Sequence, residues 1–300
     1  MSISRQNLSI VIVTLKSENV IHQCIESIDK EIPIIIVENS DNQIFKKDLE
    51  EKYINVKCIL SNKNLGMGSG NNLGIKNCKS DFIFILNPDV VLEKNAIDEL
   101  ILASKKHSDF TVLSPLASKI DYPNYQIDKN KMKVENDLPF KVKSVDGFAM
   151  LFNKKNLDKI IRQETFNTNQ SYFDENFFMY LENDDLCKRI IERNENIYII
   201  PDAKIKHLGG KAVDEKYQNE IELSRNWHWI WSKFYFNKKH YGFFVALIKG
   251  LPVFFSAIFK ISFYFIVNNE MKKKIYLNRA AGFLNGVLGK SSWYRAKIEN

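Results

Sequence analysis

Five consecutive apolar residues, Phe82-Ile83-Phe84-Ile85-Leu86, run directly into Asn87-Pro88-Asp89. A short apolar run without polar alternation reads as a strand covered on both faces, which calls for helices on either side of a sheet. Pro88 ends the strand, because it has no N–H to give to a ladder. The carboxylate of Asp89 is left at the strand's C-terminal end, the edge at which open α/β sheets bind ligands. A plain Asn-Pro-Asp turn has the same local pattern, so the rest of the chain decides between the two.

Further runs at Leu8–Leu15, Pro33–Val37, Asn55–Leu60, Thr111–Ser114, Val145–Phe152 and Ile197–Ile200 predict strands. Helical spacing appears at 20–29, 70–78 and 94–107, and again from Asp184 onward. Strands and helices alternating at this interval predict βαβ units, hence a Rossmann-like α/β fold with a mostly parallel central sheet flanked by helices. Residues 38–42 read as a loop and Pro201-Asp202-Ala203 as a turn. Residues 118–142 are polar and charged, a surface excursion of the kind that contacts substrate.

The 300 residues suit one large domain with an appendage. The four scattered cysteines fit a reducing compartment, and no signal peptide is expected at the N-terminus. Charge marks the boundary. Residues 226–300 carry twelve Lys/Arg against two acids, a net of +10, whereas residues 1–225 carry 31 against 34. All four tryptophans and 19 of the 37 aromatics lie in that last quarter. The expected division is a catalytic-type domain over 1–225 and a basic, aromatic helical region over 226–300.

Three clusters could carry chemistry. Gly66, Gly68 and Gly70 lie in an Asn-rich run after the third strand, where backbone can approach a phosphate or sugar closely. Five acids fall between Asp174 and Asp185. Capping of a helix accounts for some of them, but crowding Glu182, Asp184 and Asp185 together costs energy unless a cation or a proton transfer offsets it. His207, just before Gly209-Gly210, is a candidate metal ligand.

The succession Ile-Val-Ile-Val-Thr, Val37-Glu38-Asn39-Ser40, Asn64-x-Gly66…Gly70-Asn71-Asn72-x-Gly74, Asn87-Pro88-Asp89, Phe173-Asp174-Glu175-x-Phe177-Phe178-x-Tyr180-x-Glu182, Asp185-Leu186-Cys187-x-Arg189 and His207-x-Gly209-Gly210 resembles the family 2 glycosyltransferases. It looks most like their bacterial rhamnosyltransferase-like branch. The resemblance covers roughly residues 8–225 and implies a GT-A fold, an inverting transfer from a nucleotide sugar, and Mg²⁺ or Mn²⁺. It implies that Asp89 binds the metal and that His207 completes the metal site. Asn87 stands where the first acid of an Asp-x-Asp motif would be. Thr14, Glu38, Asn39, Asn64, Gly66, Asn72 and Asn87 match positions at the nucleotide, with Glu38 where the family usually has aspartate. The family's usual base position is Asn183 here, which cannot accept a proton. Glu182 or Asp184 is then expected to serve, with Asp185 in support.

Residues 241–267 are apolar but hold Lys249, Pro252 and Lys260, and their longest charge-free run is ten residues. At 100° per residue Lys249, Ser256 and Lys260 form one stripe, which suggests a helix lying in a membrane interface. A helix packed on the catalytic domain and an inserted helix are the alternatives. Lys272-Lys273-Lys274 would favour anionic headgroups. The apolar density far exceeds that of a base-stacking platform, so a nucleic-acid partner is not expected. Together these expectations describe a glycosyltransferase on the cytoplasmic face of the inner membrane. It would act on a glycan acceptor, lipid-linked by inference, with dTDP-rhamnose or a UDP-sugar as donor.

Overall fold

The computed structural model describes residues 2–118, 122–127, 138–162, 171–209 and 212–298. The polar stretch 118–142 lies partly outside these residues, and so does Gly210. The chain divides into two compact units, Met1–Asp174 with Asn183–Asp214, and Glu175–Glu182 with Glu215–Asn300.

The first unit alternates strands and helices: β1 (Leu8–Thr14), α1 (Ile21–Glu26), β2 (Ile34–Glu38), α2 (Gln43–Lys52), β3 (Val56–Leu60), α3 (Met67–Lys76), β4 (Phe82–Leu86), β5 (Val90–Leu92), α4 (Ala96–Lys106), β6 (Phe110–Ser118), β7 (Tyr125–Gln126), β8 (Phe140–Lys141), β9 (Ser144–Val145), β10 (Ala149–Asn153), α5 (Lys154–Arg162), α6 (Glu182–Glu192) and β11 (Asn196–His207). Glu182, the first residue of α6, groups with the second unit. The main sheet runs β3-β2-β1-β4-β10-β6-β11-β5, with β8 beside β11. Its first four strands are parallel, β10 enters antiparallel between β4 and β6, and β11 returns parallel to β6. Every residue of β1, β2 and β4 is buried, so these strands are covered on both faces as their unbroken apolar runs require.

Four local features depart from the expectations. Helix α2 follows the 38–42 loop directly. Asn42 caps it by accepting from the Phe45 N–H at 3.1 Å, and Phe45 and Leu49, one turn apart, are its buried residues. Helix α3 starts at Met67, so Gly68, Gly70 and Gly74 are helical and buried, and only Gly66, at φ 80°, sits in the preceding turn. A Cβ on Gly74 would lie 2.3 Å from Val11 Cγ1. These glycines let α3 close onto β1. Gly74→Val is therefore expected to destabilise the first unit by about 1–3 kcal/mol, the cost of overpacking, measured by urea unfolding. The Val145–Phe152 run breaks at Asp146-Gly147-Phe148 into β9 and β10. Finally, β11 does not turn at Pro201. It shifts register between Ile200 and Lys204, leaving Pro201 outside the ladder, and continues to His207.

The second unit contains α7 (Gln218–Tyr241), α8 (Phe243–Ile266) and α9 (Glu270–Val287). Gly282 permits the α7–α9 contact, since a Cβ there would lie 2.4 Å from the Trp227 carbonyl oxygen. Trp227 and Trp231 are buried core residues, and only Trp229 and Trp293 are exposed. Helix α8 is long and apolar enough to cross a membrane, and 11% of its most apolar 18-residue window is buried. Its polar stripe does not face water alone. Lys249 donates to Asn237 Oδ1 of α7 at 3.0 Å, and the Lys260 ammonium lies 4.9 Å over the Tyr276 ring of α9. The outermost residues include Phe244, Phe255 and Phe259.

Candidate active site

The C-terminal ends of β1 and β2 form one group of polar residues. Register places Thr14 beside Glu38. The Thr14 hydroxyl donates to Glu38 Oε2 at 2.5 Å, while the Ser40 hydroxyl and its N–H, the latter at 2.6 Å, donate to Oε1. Burial raises the Glu38 pKa against these hydrogen bonds, which favour the carboxylate. Asn39 ties β2 to the next loop, donating to the Gly66 carbonyl at 3.3 Å and accepting from the Ser61 hydroxyl at 3.0 Å. Asn64 Oδ1 accepts from the Gly66 N–H at 3.0 Å and so shapes the turn. Asn72 has a different task. Its amide group exchanges two hydrogen bonds of 2.9 Å with the backbone of Phe173, which holds a distant segment in place.

The second group surrounds Asp89. Asn87 extends the β4–β10 pairing by donating its N–H to the Phe148 carbonyl at 2.9 Å, and its carbonyl accepts from Val90 N. The three-residue β5 then pairs antiparallel with the end of β11, with His207 opposite Val90. This places His207 Nε2 3.5 Å from Asp89 Oδ1. The imidazole is braced by Phe148, whose ring stacks on it at 4.1 Å. Asp89 is 1% exposed, yet its Oδ1 has no hydrogen-bond partner. A buried carboxylate oxygen without a partner costs about 1–3 kcal/mol, and a cation would recover that cost. Among the described residues no three His, Cys, Asp or Glu side chains converge as a metal set. Asp89 and His207 thus suit a hard divalent ion that would take its other ligands from outside the chain.

Asp146, in the β9–β10 turn, joins this group without having been singled out as a site residue in the sequence. Its only local signal is a carboxylate before glycine at the break in an apolar run. Its pKa is pushed up to about 6, by burial first and then by the charge of Asp184, with His207 opposing. Asp184 is itself raised by burial, against a hydrogen bond from Ser144. Asn183 packs on the same turn. Its Nδ2 donates to the Val145 carbonyl at 2.9 Å, and a Cβ on Gly147 would lie 3.2 Å from its Cβ. Asp185 faces elsewhere, fully buried with the Arg189 Nε at 2.9 Å.

A carboxyl raised on folding contributes stability below its unfolded pKa, here 3.8, and that contribution is lost as pH rises through about 6. Asp146→Asn is therefore expected to raise the melting temperature of the metal-free protein at pH 7.5. The gain should be roughly 2–4 °C for each kcal/mol recovered, and it should shrink toward pH 4.5. Thermal melts across that range check the sign.

Residues 9–180, more than half of the chain, match the model of Glycosyl transferase family 2. The chain belongs to glycosyl transferase family 2. It is 26% identical over 226 residues to the low-salt glycan biosynthesis hexosyltransferase Agl10 of Haloferax volcanii, an alignment spanning 70% of this chain and 69% of that one. It is 24% identical over 219 residues to the rhamnosyltransferase WbbL of Escherichia coli K12, spanning 64% and 80% respectively. Among solved structures it resembles GalNAc-T7, crystallised with UDP, GalNAc and Mn²⁺, at a TM-score of 0.51 and 14% identity. That match covers 67% of this chain and 42% of the other, and it shows the GT-A fold. The protein is thus a glycosyltransferase enzyme, with a nucleotide-sugar donor and a glycan acceptor as its expected substrates.

Proposed function

We propose that this family 2 enzyme transfers rhamnose, with inversion, from dTDP-rhamnose to a hydroxyl of a lipid-linked cell-surface glycan. UDP-linked hexoses, UDP-galactofuranose among them, are the alternative donors. The observation that carries the reading is the buried, unpartnered Asp89 Oδ1 beside His207, at the ligand-binding edge of the sheet. Asp89 and His207 hold Mg²⁺ or Mn²⁺, which when bound neutralises charge on the leaving diphosphate. Thr14, Glu38, Asn39 and the Asn64–Gly66 turn form the nucleotide crevice. Asp184, with its proton affinity raised by burial beside Asp146, accepts the acceptor's hydroxyl proton. Asp185 anchors the start of α6 through Arg189, while Glu182 is the competing base.

Purified protein given dTDP-rhamnose and a set of UDP-sugars, with and without Mn²⁺, tests this. The expected result is metal-dependent release of dTDP coupled to sugar transfer. Release of pyrophosphate would instead mark a nucleotidyltransferase. A second reading rests on Asn183, whose side chain is committed to the Val145 carbonyl. In that reading the chain binds the donor but has lost transfer, so donor binding with no turnover would select it.

The exposed apolar face of α8 and the basic helical region support attachment to the cytoplasmic face of the inner membrane. Peripheral attachment predicts release from membranes by high salt alone. Retention through that treatment would make α8 an inserted helix.

A further inference from the structure

Through its middle, α7 is buried on every side but one. Among the described residues from Ile221 to Phe234, those not buried are Glu222, Arg225, Trp229 and Lys233. Steps of three and four residues put them on one helical face. The stripe therefore offers a carboxylate, a guanidinium, an indole and an ammonium side by side. Asn226 steadies its acid, donating to Glu222 Oε1 at 2.6 Å while accepting from Arg279 Nε at 2.6 Å.

Tyr180 meets this stripe within the second unit. Its ring stands nearly perpendicular to that of Trp229, with centres 5.3 Å apart. Burial first pushes the Tyr180 phenol up to about 12, Arg225 opposes, and Glu222 and then Glu182 add to the rise. All three charges thus reach the phenol. The backbone here takes a costly form, because Tyr180 and Leu181 are consecutive non-glycine residues at φ 70° and 67°. The segment is pinned just before them. The Ser232 hydroxyl donates to the Met179 carbonyl at 2.8 Å, and the Arg295 guanidinium lies 3.6 Å over the Phe178 ring. Strain held in place by its surroundings is characteristic of ligand sites, and this segment runs directly into Glu182, which opens α6.

We propose that the stripe is a saccharide subsite for the acceptor, with Trp229 as its stacking platform and Glu222, Arg225 and Tyr180 hydrogen-bonding ring hydroxyls. A pyranose has a face of C–H bonds, whose positive edge suits the negative face of an indole. Its hydroxyls both donate and accept, so they match a carboxylate beside a guanidinium. An anion would be repelled by Glu222 and Glu182, and a cation by Arg225 and Lys233. Charges of both signs on one stripe therefore favour a neutral polyol. The exposed Lys233 ammonium, now 4.3 Å from the Trp229 ring centre, yields its place over the ring and turns to the hydroxyls. The inference rests on the reading that this enzyme's acceptor is a glycan, and it names the surface that holds that glycan's sugar.

Saturation-transfer NMR on the full-length protein in detergent tests this without requiring turnover. The probes are the methyl glycosides of rhamnose, glucose, galactose and N-acetylglucosamine. At least one is expected to bind, and dTDP with Mn²⁺ should not displace it. Trp229→Ala should weaken that binding about tenfold, and Trp229→Phe, which keeps a ring, should lose less. E222Q removes a charge with almost no change in volume and should also cost about tenfold. W293F, at the other exposed tryptophan, should bind as the parent does.

Binding of none of the four glycosides would overturn the proposal. So would parental binding by Trp229→Ala or by E222Q, an equal loss in W293F, or displacement by dTDP. Glycoside binding that depends on Trp229, with no sugar transfer from any donor, would defeat the glycosyl-transfer reading and leave this subsite standing. Transfer by Trp229→Ala with the parental KM for acceptor would defeat the subsite alone.

Discussion

Asp89→Asn is expected to lower kcat/KM for sugar transfer by on the order of 10²–10³ without weakening the metal-free fold. The reason is the state of its carboxylate. Asp89 is 1% exposed and its Oδ1 meets no hydrogen-bond donor, with His207 Nε2 at 3.5 Å. A buried oxygen left in that condition lowers stability, so its replacement by a neutral amide costs the apo fold nothing and can stabilise it. Under the proposed assignment, catalysis loses the oxygen that would meet a cation at the diphosphate. Two measurements check the prediction together. Transfer kinetics with Mn²⁺ should show the loss, and the melting-temperature rise expected from dTDP with Mn²⁺ should vanish while the apo melting temperature is unchanged or higher. A variant within tenfold of the parent would remove Asp89 from the site.

Asp184→Asn is expected to reduce kcat by about 10²–10⁴, the usual contribution of a general base, with little change in the KM for donor. The separation follows from position. Asp184 is grouped with Asp146 and Ser144 at the β9–β10 turn, whereas the polar ends of β1 and β2 are the proposed nucleotide crevice. Asn183→Asp, which would place the family's usual acid at its usual position, is expected not to raise activity. The Asn183 amide donates to the Val145 carbonyl, and a carboxylate there would leave that carbonyl unpaired at a cost of about 1–3 kcal/mol. The comparison with Glu182→Gln is decisive. If that variant takes the kcat loss and Asp184→Asn does not, the base is Glu182.

Much of this architecture is legible from residue order alone. The apolar runs of β1, β2 and β4 announce doubly covered strands because burial on both faces leaves no room for polar alternation. Asn87-Pro88-Asp89 marks the strand end for an equally local reason, proline's missing donor. The glycines after Asn64 were legible as glycines but not in their purpose. Backbone approach to a phosphate and close approach of α3 to β1 demand the same residue, and only the 2.3 Å between a Gly74 Cβ and Val11 tells them apart. The stripe of Lys249 and Lys260 was likewise visible as a stripe, while its direction, toward α7 and α9, depended on what packed there.

The sequence by itself determined the family, the strand that carries Asp89, and the apolar, basic character of the last quarter, because each is written in local composition and spacing. Tertiary structure alone decided which residues share a site. His207 reaches Asp89 only because β11 bulges past Pro201 and pairs with a three-residue β5. Asp146 meets Asp184 only because a strand break and a helix start, 38 positions apart in the sequence, pack on one turn. Register shifts and bulges set such meetings, and they leave no periodic trace in the chain.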